Sequence, residues 1–218
     1  MSKASDQVYY SIRNAILDGS LRPGSQIRED ELAISCNVSR TPVREALLRM
    51  EAELLIERER NRSFVRVWSK DAMRHVFALR LMVEPYVAEQ AALTIEPAAI
   101  NRLRRSNELY EQALAKSPPD ISTIVTQNNL FHETLLAAVG SDVLDMILPR
   151  LVAVPIVPLS LQRYDRAQLE KALMEHRELI LALEARDAEW ANVIMKNHIH
   201  RARRVYFSEC ADIPHPFR

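Results

Sequence analysis

Glycine is the scarce residue here: the chain of 218 residues holds three, Gly19, Gly24 and Gly140. That argues against a Rossmann or P-loop phosphate cradle, since both are built on glycine-dense turns. There are two cysteines, Cys36 and Cys210. They lie too far apart in sequence for a short zinc motif or a disulfide framework, a pattern that fits a reducing cytoplasm. Aromatics make up only 6% of the chain, and no apolar run approaches the roughly 18 residues that a membrane span needs. The opening residues Met1 to Asp6 lead into a polar helix pattern, so no secretion signal is expected. Net charge is also missing: 29 basic side chains face 29 acidic ones. This excludes a generally polycationic coat for nucleic acid but leaves room for a local DNA-reading surface.

The 48% of hydrophobic residues are arranged in helical periods along most of the length. An amphipathic stretch from Gln7 to Leu17 is followed by a loop containing Gly19 and Gly24. Two helix-like segments come next, about Glu29 to Cys36 and Thr41 to Leu54. A short alternating pair, Ile56 to Arg60 and Phe64 to Val67, reads as a β-hairpin around Asn61-Arg62-Ser63. Beyond Lys70 only helices are expected: about 71–93, 98–115, 121–139, 142–163, 165–184 and 187–210. Pro155 and Pro158 should kink the fourth of these. The predicted fold is mainly α, with a winged helix-turn-helix in residues 1–69 and an all-helical bundle in residues 70–218.

In the head, Leu32, Ala33, Val38, Val43, Ala46, Leu47 and Met50 recur at spacings that let two short helices close over one another. Ser39 is placed to cap the second helix, leaving its first-turn amides free to face phosphate. Arg40, Thr41 and Arg44 cluster where a recognition helix meets base edges, and an arginine fork suits guanine O6 and N7. Arg58, Arg60, Arg62 and Arg66 crowd the hairpin, apt for phosphates or the minor groove. The same composition also describes a solvated helix with ordinary arginines, because Glu45, Glu51, Glu53, Glu57 and Glu59 partly cancel the charge.

The ordered string is more specific. Leu21-Arg22-Pro23-Gly24, Glu29 to Ala33 and Val38-Ser39-Arg40-Thr41-Pro42-Val43-Arg44-Glu45-Ala46-Leu47 together resemble the N-terminal domain of the GntR superfamily of bacterial regulators. The resemblance covers about Val8 to Val67. It implies that Ser39, Arg40, Thr41 and Arg44 contact double-stranded operator DNA and that the tip Arg60-Asn61-Arg62 enters the minor groove. Two positions depart from it: Leu54 stands where a glycine usually ends the recognition helix, and Ser63 stands near a usual wing glycine. A left-handed leucine is costly, so a different helix exit is expected at Leu54.

The body holds three of the six histidines at suggestive places. Asn128 and His132 are four apart and share a helical face. His176 and His198 flank a predicted turn at Ala185-Arg186-Asp187 at similar distances, which puts them at one height in an antiparallel helical hairpin. Three imidazoles and one amide oxygen could then converge on a divalent cation, Zn²⁺ or Ni²⁺ by donor type. The same spacing is met by ordinary hydrogen-bonded histidines. On the apolar face Val76-Phe77-Leu79-Val83, Arg80 must be paired. It bridges to Glu84 one turn on, holds an organic acid in the pocket, or does each in a different liganded state.

Residues about 71–205 resemble the FCD ligand-binding domain of FadR-type GntR regulators. The resemblance rests on Leu79-Arg80 with Glu84, Phe131-His132, Glu175-His176-Arg177 with Ile180, and Asp187 through Ala191 to His198. It implies a divalent metal held by Asn128, His132, His176 and His198, with Asn128 in the place of a usual Asp. The leading hypothesis is a ligand-responsive homodimer in which a small carboxylate coordinates the metal and pairs with Arg80. A neutral amide donates more weakly than a carboxylate, so metal affinity should fall and the effector's own carboxylate should matter more. Two other functions are open to such a chain: a metal-dependent hydrolase, and a DNA-binding protein with a purely structural metal. No general base stands beside the histidines on their own helical faces, which disfavours the enzyme. Structural zinc usually has four strong protein ligands, which disfavours the other.

Overall fold

The computed structural model describes residues 3–17, 20–152 and 164–209. Among them are nine helices and one small sheet. The chain divides into two compact units, with a break between Lys70 and Asp71.

The first unit contains α1 (Lys3–Leu17), β1 (Gln26–Ile27), α2 (Glu29–Ser35), α3 (Arg40–Ala52), β2 (Ile56–Glu59) and β3 (Arg62–Val65). Its core is one cluster in which Val8, Ile12 and Ile16 of α1 meet Val43, Ala46, Leu47 and Met50 of α3. Leu32, Ala33 and Val38 pack against the edge of that cluster. The strands form an antiparallel sheet in the order β1-β3-β2. Strand β1 leaves no mark in the sequence, because two residues carry no alternation. Pairing to β3 creates it. A turn with Pro23 and left-handed Gly24 (φ 81°) aims the Gly24 amide at the Val65 carbonyl, 2.8 Å away.

Leu54 corrects an expectation. Helix α3 makes no unusual exit: Leu54 itself adopts φ 60°. The Leu55 amide donates to the Met50 carbonyl and the Leu54 amide to that of Glu51, each at 3.0 Å, which is the bond pattern of a glycine-ended helix. Burial of Leu55 and Met50 holds the bend in place, against a backbone cost of about 1–2 kcal/mol. Asn37 (φ 51°) and Arg186 (φ 56°) end α2 and a later helix in the same way. The hairpin turn lies one residue earlier than expected, at Arg60-Asn61, and Ser63 is buried within β3.

Tyr9 joins α1 to α3: its buried hydroxyl donates to Glu53, and Arg49 lies 3.7 Å over its ring. Burial, then the Glu53 carboxylate, pushes the Tyr9 pKa up to about 12. A raised tyrosine pKa stabilises the fold fully below the unfolded value near 10, and that contribution is lost as pH rises from there through about 12. Tyr9→Phe should therefore cost about 1–2 kcal/mol at neutral pH. Urea unfolding followed from pH 7 to 12 should show the two proteins converging above pH 10. A gap that stays constant to pH 12 would refute the coupling.

The second unit contains α4 (Lys70–Thr94), α5 (Pro97–Ala115), α6 (Ile121–Val139), α7 (Asp142–Val152), α8 (Arg166–Glu184) and α9 (Ala188–Glu209). Pro97 starts α5, the Asp120 side chain caps α6, and Asp165 with Gln168 closes a capping box on α8. Left-handed Gly140 ends α6. Pro155 and Pro158, predicted to kink the fourth body helix, lie outside the described residues. Phe77, Leu103, Tyr110, Ile124, Phe131 and Leu135 are fully buried, leaving the polar groups described next among apolar walls.

Candidate functional site

In the head, α3 separates two duties by face. Val43, Ala46, Leu47 and Met50 are buried, whereas Ser39, Arg40, Thr41 and Arg44 are exposed at or near its start. Ser39 takes the N-cap position, but its side chain makes no capping bond. Arg40 pairs with Asp30 at 2.8 Å, and Arg44 pairs with Glu29 at 2.9 Å. Arg60, Asn61 and Arg62 are exposed at the hairpin tip. Among the described residues neither Arg60 nor Arg62 meets a carboxylate.

In the body, α6, α8 and α9 bring His132, His176 and His198 together. Their ring centres lie 5.7, 5.4 and 5.0 Å apart. One nitrogen from each lies within 4.8 Å of the others, a spread that shifts of about an ångström would close on one cation. Each Nδ1 has a partner of its own. His132 Nδ1 lies 3.0 Å from Glu84 Oε2. His176 Nδ1 faces Asn107 Oδ1 at 3.3 Å, and His198 Nδ1 faces Glu175 Oε2 at 2.8 Å. Acceptors at Nδ1 fix the proton there and leave Nε2 with its lone pair free. His176 Nε2 is buried without a partner, which is the mark of a site built for something else. Burial also pushes His176 well below the ordinary histidine range and His198 down to about 4, so both rings are neutral near pH 7. Asn128 is buried one turn before His132 on α6. This donor set fits a borderline divalent cation.

Two arginines stand behind the histidines. Arg80, almost fully buried, donates through Nε to Glu84. Arg201 grips both oxygens of Glu175 at 2.7–3.0 Å and lies 5.3 Å from the Tyr164 ring centre. Burial opposes ionisation of Glu84 and Glu175. Arg80 and His132 overcome it at Glu84, and His198 and Arg201 overcome it at Glu175, holding each carboxyl at about 2.

Comparison with known proteins agrees with both halves. Residues 4–65 match bacterial regulatory proteins of the gntR family, and residues 75–201 match the FCD domain. The chain belongs to the GntR family and carries an FCD domain. The gluconate operon transcriptional repressor of Bacillus subtilis is 31% identical over 150 residues, 67% of this chain and 60% of that protein. The HTH-type transcriptional repressor RspR of Escherichia coli is 25% identical over 197 residues, 89% of this chain and 85% of that one. In three dimensions E. coli McbR/YncC superposes with a TM-score of 0.83 at 21% identity, covering 95% of this chain and 99% of that one, which shows a shared fold.

Within this FCD domain several polar partners escape a sequence reading. Glu175 neighbours His176 and so points about 100° away from it, yet that direction leads to His198 on the next helix. Arg201 sits three residues after His198 on the same face, a spacing that could have drawn attention to it. Asn107 lies on α5, far from every histidine in sequence, and nothing local marks it. His200 is exposed, as its two-residue offset from His198 requires.

Proposed function

We propose that the chain is a sequence-specific regulator of transcription in which residues 1–69 read operator DNA and residues 70–218 bind metal and effector and form a homodimer. The observation that carries this reading is the exposed start of α3, where Ser39, Arg40, Thr41 and Arg44 stand on a helix whose other face is buried. Such a helix lies in the major groove, and Arg60, Asn61 and Arg62 would reach the adjacent minor groove. Two relatives are named repressors, and repression is the role proposed here. Its place is with DNA in the cytoplasm, and among the described residues no helix is long and apolar enough to cross a membrane.

In the body Asn128, His132, His176 and His198 would hold Zn²⁺ or Ni²⁺, which supplies a positive centre that anchors an anionic oxygen. Imidazole and amide donors bring no negative charge, and Arg80–Glu84 and Arg201–Glu175 are each balanced pairs, so a small carboxylate is the ligand the charge favours. Arg80 uses Nε for Glu84 and offers the rest of its guanidinium to that effector. An exposed apolar stripe along α4, Leu79, Met82, Tyr86 and Leu93, supports pairing with a second copy. Hydrolysis is the weaker reading: Glu84 and Glu175 are held ionised by cations and make poor bases, and Glu133 is exposed.

The test is operator reading by Arg44. After the preferred duplex is enriched from a random pool, Arg44→Ala should weaken binding to it by about 1–3 kcal/mol and leave random duplex less affected. An equal loss on both would make Arg44 a phosphate contact.

A further inference from the structure

The arginines from α2 to the wing fall into two groups. Those at the hairpin tip, Arg60 and Arg62, have no carboxylate beside them among the described residues, while those on and around the recognition helix do. Glu29, the first residue of α2, accepts from Arg44 Nε at 2.9 Å through Oε2, and its Oε1 lies 4.0 Å from Arg58 Nη2 on β2. Arg58 Nε in turn lies 3.6 Å from Glu51 of α3. One carboxylate therefore touches the recognition helix and the wing together. Asp30 differs: it takes a terminal nitrogen, Arg40 Nη2, at 2.8 Å, and both partners are about two-thirds exposed.

Stability does not account for the Arg44 pair, since ion pairs at such exposure contribute little to folding. The atom used is informative. A guanidinium reads guanine end-on with its two terminal nitrogens, and a carboxylate at Nε leaves those two free while fixing the plane of the fork. A flexible arginine must lose its rotamer freedom at the base edge; one already held does not. A carboxylate at this place also repels phosphate, which penalises every register in which Arg44 meets backbone instead of base. Glu29 is less exposed than Arg44, as befits the member that stays while the other reaches out.

We propose that Glu29 is a specificity-determining positioning residue, holding the Arg44 fork towards a base edge and disfavouring its use on phosphate. This rests on the reading of Arg44 as a base-reading residue.

The test uses the full chain, the duplex that it enriches from a random pool, and a random-sequence duplex of equal length. Glu29→Ala removes both the acceptor and the charge. Binding to random duplex should tighten several-fold, and the preference for the enriched duplex should fall by about tenfold. Glu29→Gln removes the charge but keeps an oxygen acceptor, so it should tighten random binding as much while losing less of the preference than Glu29→Ala. Equal tightening on both duplexes in both variants would overturn the proposal, leaving Glu29 as a bulk charge. Equal weakening on both would overturn it too, assigning Glu29 to the architecture of the head. If the unaltered chain enriches no sequence, base reading itself fails and the proposal goes with it. An enriched sequence with an unchanged preference in Glu29→Ala defeats the proposal alone.

Discussion

Replacing His176 with alanine should weaken Zn²⁺ or Ni²⁺ binding by more than about 100-fold, since loss of even a supporting partner of a metal ligand costs roughly 10–100-fold. His176 is the right place to cut: its Nε2 is buried and unpartnered, while its Nδ1 is occupied by Asn107 and its ring stacks on Phe131 at 4.0 Å. The loss has a second reading in stability. A ligand present at a thousand times its Kd adds about 4 kcal/mol to the folded state, which for a body of this size raises Tm by on the order of 10 °C. That rise should appear when metal is added to the unaltered chain and be absent in His176→Ala. His198→Ala should behave alike, which separates loss of a ligand from local collapse around Phe131. Metal content measured by plasma mass spectrometry on tag-free protein decides the matter, and unchanged content in both variants would refute the assigned set.

Arg80→Met should destabilise the body by about 3–5 kcal/mol. Glu84 is 2% exposed and Arg80 3%, so removal of the arginine strands a carboxylate that water cannot reach. Among the described residues only the His132 contact at 3.0 Å would remain to it. Arg80→Met combined with Glu84→Leu should recover most of that loss, because a well-packed apolar pair replaces a buried ionic one at little net cost. Urea unfolding of the single and double variants gives both numbers. A single variant within about 1 kcal/mol of the unaltered chain would show that the pair does not hold the body together, and Arg80 would then belong to ligand binding alone.

The sequence left Arg80 between two readings, an intrahelical bridge and an effector contact, because spacing along one helix says nothing about what faces it. The structure supplies the bridge and places Glu84 against His132 as well. The pattern is general for this chain. Features written along a single helix were legible: the buried stripe of α3, Asn128 one turn before His132, and the breaks at Pro97 and Gly140. The equal distances of His176 and His198 from their turn pointed to nearness because a helical hairpin is close to one-dimensional. What could not be read were contacts made across helices by residues with no partner nearby in sequence, Asn107 to His176 and Glu175 to His198. Strand β1 escaped for the same reason, since its pairing to β3 is all that defines it. At Leu54 the error was energetic: a local cost of one or two kcal/mol was expected to redirect the chain, and the packing of Met50 and Leu55 outweighed it.

The division of α3 into a buried and an exposed face has a consequence for descent. Changes at Glu29, Asp30, Arg40 and Arg44 alter ion pairs that carry little folding energy, whereas changes at Val43, Ala46, Leu47 or Met50 open the core. After a gene duplication, one copy can drift at the first four positions without passing through an unfolded ancestor. These positions and the histidine cluster belong to different compact units. If residues 1–69 read the operator and residues 70–218 bind the effector, as proposed, the two are separately inherited traits, and two daughters of this chain can come to govern different genes while still answering to the same small molecule.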